Sequence, residues 1–154
     1  MMNLRLAAAL ILASATGLAA DPQPLGLQLW SLRNQLGADL PSGLAKVKAL
    51  GFTVVESAGT YGRTPADLRQ LADANGLRIV GCHMPYERMQ SDLAGAIAEA
   101  KALGASFIVV PWIPHPTKPT VFDVGQARAA ARNFNAWGAA LKAQGLRFGY
   151  HTHG

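Results

Sequence analysis

Short apolar segments alternate along this chain with longer stretches in which apolar residues return every three or four positions. The short segments cover residues 52–56, 77–83, 106–110 and 146–153, and another ends with Gln28 and Trp30. They are rich in Val and Ile and read as strands covered on both faces. The longer stretches cover 44–50, 68–75, 93–103 and 127–144, with Leu40, Leu44 and Val47, then Leu68, Leu71 and Ala72, then Leu93, Ile97 and Ala100 at helical spacing. A glycine follows each one (Gly51, Gly76, Gly104, Gly145), where a helix has to stop in a left-handed residue. Helix starts are legible too. Thr64-Pro65-Ala66-Asp67 places a capping hydroxyl before a first-turn proline and a carboxylate, and Ser91-Asp92 and Asp123 open two further helices.

The resulting order is β-α-β-α-β-α-β-α-β, which predicts an α/β fold with a parallel sheet joined by right-handed crossovers. No GxGxxG follows the first strand, which removes the main support for a dinucleotide-binding sheet. A (β/α)8 TIM barrel needs eight strands and about 250 residues, so about four βα units plus a fifth strand make a partial barrel. The strand pattern stops at the end of the chain. The expectation is therefore the front part of a longer barrel, with a half-barrel completed by dimerisation as the weaker alternative.

The polar residues of the strands sit at their carboxyl ends. Gln28 and Trp30 close the first, Glu56 the second and His83 the third; Trp112 lies just past the fourth, and His151 and His153 close the fifth. In a parallel barrel these ends share one rim, and that rim holds the active site. His151 and His153 are two apart on a strand, so both imidazoles face the same side, which suits a divalent transition metal. A carboxylate at Glu56 must be paired, ligating or wetted at the rim, a salt bridge to Arg33 or Arg63 being the plain structural alternative. Trp30 and Trp112 can stack on the apolar face of a small ligand, and Gln28 can bond a hydroxyl; core or rim packing is an equal reading for each tryptophan. Residues 111–119 form a proline-rich loop over the proposed mouth, with His115 expected in solvent. Tyr61, Tyr86 and Arg88 read as loop residues without a distinguishing signal.

Composition narrows the function classes. Residues 1–20 run from one early positive charge (Arg5) through an uncharged apolar stretch to Leu18-Ala19-Ala20, the pattern of a secretory signal peptide, so the mature domain spans 21–154 of an exported, periplasmic or secreted protein. The remainder carries 13 basic and nine acidic side chains, scattered and mostly on helices. No basic block with interleaved aromatics exists, so nucleic acid is not an expected partner, and no later apolar run suggests a membrane. Cys82 is the sole cysteine, so burial rather than a disulfide within the chain must hold the fold.

Cys82-His83-Met84-Pro85-Tyr86 resembles the HAPY-type segment of the xylose isomerase-like superfamily, the sugar phosphate isomerase/epimerase-like proteins and the endonuclease IV group. Residues 26–33 and 51–56 agree with it, and Gly149-Tyr150-His151-Thr152-His153 is similar to the YHNH segment on strand five, with Thr152 in place of asparagine. The resemblance implies a TIM barrel holding a divalent metal ion (Mn, Mg, Co or Zn) and a small carbohydrate substrate, with homo-oligomers possible. It implies isomerase or epimerase chemistry, a proton moved next to a carbonyl. Most ligands and both acid/base carboxylates of such enzymes come from strands five to eight, so no catalytic residue is assigned in this chain. His151 and His153 are the candidate metal ligands, and Gln28, Trp30, Glu56, His83 and Trp112 the candidate substrate-binding set. Two rival classes remain: a non-catalytic carbohydrate-binding barrel, and an endonuclease IV-like phosphodiester hydrolase, which the dispersed charge disfavours.

Overall fold

The structure, a computed structural model, describes residues 24–115 and 122–153. The signal-peptide pattern over residues 1–20, most of the proline-rich loop tip and Gly154 lie outside the described residues. Five strands form one parallel sheet in the order of the chain: β1 (Gly26–Gln28), β2 (Val54–Ser57), β3 (Arg78–His83), β4 (Phe107–Val110) and β5 (Arg147–Tyr150). Consecutive parallel neighbours need a crossover at every step, and helices supply each one. A 3-10 turn (Leu29–Leu32), α1 (Arg33–Ala38) and α2 (Leu40–Ala49) join β1 to β2, and α3 (Pro65–Ala74) joins β2 to β3. The pair α4 (Tyr86–Ser91) and α5 (Leu93–Leu103) leads to β4, and α6 (Val124–Ala143) leads to β5.

The helix boundaries follow the local chemistry read above. The Thr64 hydroxyl accepts from the Asp67 N–H at 3.1 Å, and the Asp92 carboxylate from the Gly95 N–H at 2.9 Å. Asp123 and Gln126 form a reciprocal capping box at the start of α6. After α2, α3, α5 and α6 the chain turns at Gly51, Gly76, Gly104 and Gly145, whose φ angles of 92°, 64°, 74° and 75° would strain any side chain. Two expectations are corrected. Tyr86 and Arg88 are not loop residues but part of α4, a six-residue helix that hydrophobic periodicity cannot register in so few turns. The fifth strand ends at Tyr150, before the histidines, although the ladder runs one step further where the His151 N–H donates to the Val110 carbonyl at 3.0 Å.

One face of the sheet, with Val55, Cys82, Ile108 and Val110, is buried beneath the helices. Leu44 and Val47 of α2, Leu68 of α3, Ala96, Ala100 and Leu103 of α5 and Leu141 of α6 complete this core. Burying the eight Val, Leu and Ile side chains among these is the main force holding helices to sheet, at roughly 1.5–3 kcal/mol each. Cys82 is inside it as a free thiol. The opposite face carries Glu56, His83 and Phe107 and is more open. Among the described residues no helix is long and apolar enough to cross a membrane.

Candidate functional site

The open face of the sheet ends in a cavity of about 700 Å³ at the carboxyl ends of the strands. Gln28, Trp30, His83, Trp112, His151 and His153 line it, together with small residues of the β1 and β2 loops and two prolines. Six of the seven candidate residues thus reach one space. The seventh, Glu56, stands beside it, and His83 Nε2–H donates to Glu56 Oε1 at 2.7 Å. The expected alternative partners, Arg33 and Arg63, do not take this carboxylate; a histidine from the next strand does.

Backbone register explains why this pair can form. Val55 of β2 is opposite Ile79 of β3, yet Glu56 is opposite Gly81, so Val80 is an extra residue on β3. Side chains alternate across a strand, and one inserted residue reverses the alternation beyond it. Without the irregularity His83 would point to the face opposite Glu56. With it, Glu56, Gly81 and His83 share the open face. Gly81 adds room: a Cβ there would stand 3.3 Å from both Cγ and Oε2 of Glu56. The glycine therefore lets the carboxylate lean across β3 to the imidazole. Sequence reading missed Gly81, although a lone glycine inside an apolar strand is a signal of close approach or a bulge.

His151 completes the group. Its ring centre is 5.7 Å from that of His83 in an edge-on arrangement. One donor atom from each of Glu56, His83 and His151 lies within 4.8 Å of the other two. His153 is not in that group of three. It is exposed, its ring 4.8 Å from His151 and 5.8 Å from Trp112, at the mouth rather than the floor. Gln28 brings its amide nitrogen to 3.4 Å from the His83 ring nitrogen.

The donor chemistry of the three residues fits a divalent ion. Two imidazoles and a carboxylate suit Mn, Co or Zn better than Mg, which prefers an all-oxygen shell. Ligand bonds of about 2.0–2.2 Å demand donors closer together than the present outer limit. The proton now between Glu56 and His83 would have to leave, as it does whenever metal replaces hydrogen at a ligand.

The walls are aromatic. Trp30 rises from the 3-10 turn and Trp112 from the segment after β4, both substantially exposed. Trp112 stacks on His115 at 4.4 Å between ring centres. His115 is accordingly half-buried, not out in solvent as expected, and its Nδ1 lies 2.6 Å from the Ile113 carbonyl. Tyr61 also has a role its sequence context hid. It holds a left-handed φ of 54°, and its hydroxyl, 3.5 Å from the Leu29 carbonyl, faces the turn that carries Trp30. Burial pushes the Tyr61 hydroxyl up to about 12.

The sequence matches no protein-family model and no curated protein. Solved structures do resemble it. A sugar phosphate isomerase/epimerase from Parabacteroides distasonis is 27% identical, with a TM-score of 0.65 over 82% of this chain and 50% of its own. An AP endonuclease, family 2, from Brucella melitensis is 16% identical with a TM-score of 0.63, over 82% of this chain and 54% of its own. A D-psicose 3-epimerase, solved in the presence of D-fructose, is 18% identical with a TM-score of 0.55, over 80% of this chain and 50% of its own. The last two likenesses concern the fold alone. The chain spans about half the length of the structures it matches. Five parallel strands in sequential order, their helices and these likenesses give the described residues the fold of the xylose isomerase-like TIM barrels, over about half of such a barrel.

Proposed function

We propose that this chain forms the metal- and sugar-binding wall of an exported carbohydrate isomerase or epimerase that moves a proton next to a carbonyl. The observation that carries the reading is the convergence of Glu56, His83 and His151, one donor each within 4.8 Å, on a cavity walled by tryptophans. A divalent ion held there would polarise a carbonyl and stabilise the negative charge that develops when the neighbouring proton is removed. The chain's own residues do the rest that falls to this wall. Trp30 and Trp112 offer flat apolar surface to a sugar ring, and the Gln28 amide offers donor and acceptor to its hydroxyls. Paired with Glu56, the His83 ring keeps its orientation on the cavity floor.

Support for a carbohydrate comes from the likeness to a sugar phosphate isomerase/epimerase, and support for export from the apolar, uncharged stretch near the amino terminus. The test is proton exchange. The intact protein with Mn²⁺ in deuterated water should incorporate deuterium at the carbon beside the carbonyl of a keto sugar such as D-fructose. Exchange in the wild type and its loss in His83→Ala supports the reading. Absence of exchange with a panel of keto sugars and their oxidised derivatives counts against it, and binding without exchange would favour a non-catalytic carbohydrate-binding barrel.

A further inference from the structure

Trp30 stands on a four-residue 3-10 turn and forms part of the cavity wall, yet the residue is 56% exposed. An indole so little buried has several rotamers open to it and would lose that freedom on gripping a ligand. Arg33 restrains it at two points. Its Nη1 donates to the Trp30 carbonyl at 3.0 Å, and the same guanidinium lies over the indole, 4.7 Å from the ring centre. The backbone bond anchors the planar fork, and the fork then holds the ring; a lysine could place charge there but could not do both. Tyr61 faces the turn one residue earlier, with its hydroxyl 3.5 Å from the Leu29 carbonyl. Two consecutive carbonyls of the turn therefore meet side-chain donors from different elements.

We propose that Arg33 is a positioning residue that holds Trp30 as a preset wall of the cavity, leaving the indole face away from the guanidinium for the ligand. Preorganisation of this kind strengthens binding by removing the ordering cost, without touching the reacting atoms. The restraint on Trp30 stands by itself; its effect on sugar binding rests on the function proposed above.

The experiment uses tryptophan fluorescence in a Trp112→Phe background, where the remaining indoles are Trp30 and the buried Trp137. Arg33→Ala should raise the acrylamide quenching constant of Trp30 by about 1.5–2-fold and lower its anisotropy, and Arg33→Lys should fall between. In the otherwise native protein, Arg33→Ala should raise KM for D-fructose by about fivefold and leave kcat within about twofold. Unchanged quenching and anisotropy in Arg33→Ala would overturn the proposal, as would an equal loss in kcat. If the native protein turns over no keto sugar, the proposed function fails, while the fluorescence result still decides the role of Arg33.

Discussion

A missing side chain shapes this site as much as those present. Gly81 leaves the space through which the Glu56 carboxylate reaches His83, and a methyl group there would meet two Glu56 atoms at 3.3 Å. Gly81→Ala should therefore displace the carboxylate and weaken Mn²⁺ binding about tenfold, measured by calorimetry, with little change in thermal stability. Buried titrating groups govern a second property. Burial raises the Cys82 thiol and the Tyr61 hydroxyl each to about 12, from 9.0 and 10.0. The folded state then holds protons that the unfolded chain releases, so stability is full below about pH 9 and declines as pH rises toward 12. Thermal melts across that range should show this decline, and Cys82→Ala should flatten it. That Glu56, His83 and His151 would reach one rim was legible, because polar residues at apolar strand ends stand out. Their pairing was not, since it depends on a glycine that bears no chemistry of its own.

At the level of elements, caps and periodicity carried most of the information. Thr64 and Asp123 cap α3 and α6 through the bonds their sequence context predicts. Thr64→Ala should cost about 1 kcal/mol in denaturant unfolding, with no effect on metal affinity, because α3 packs on the far side of the sheet from the cavity. Two features escaped such reading. A six-residue helix such as α4 is too short to impress a period on the sequence. The irregularity at Val80 was invisible for a different reason: register belongs to a pair of strands, and a single strand does not state it. Yet that one residue decides whether His83 shares a face with Glu56 or turns away into the helices.

At the scale of the molecule, parallel strands in sequential order bring distant positions to one rim, and this much follows from the alternation of elements alone. Residues separated by up to 95 positions, Glu56 to His151, become neighbours because each lies within one residue of the end of its own strand. The placing of His153 at the mouth, apart from the three-donor group, reflects where β5 stops, which apolar pattern locates only to within a few residues.

The gathering of Glu56, His83 and His151 into one ligand set is tested most directly by Mn²⁺ binding, read from loss of the free-ion EPR signal, in the wild type and in Glu56→Gln, His83→Ala and His151→Ala. One ion per chain in the wild type, weakened about 100-fold or more by each substitution while circular dichroism stays unchanged, is the expected result. Wild-type protein that binds no ion, or variants that bind it as tightly as the wild type, would contradict it.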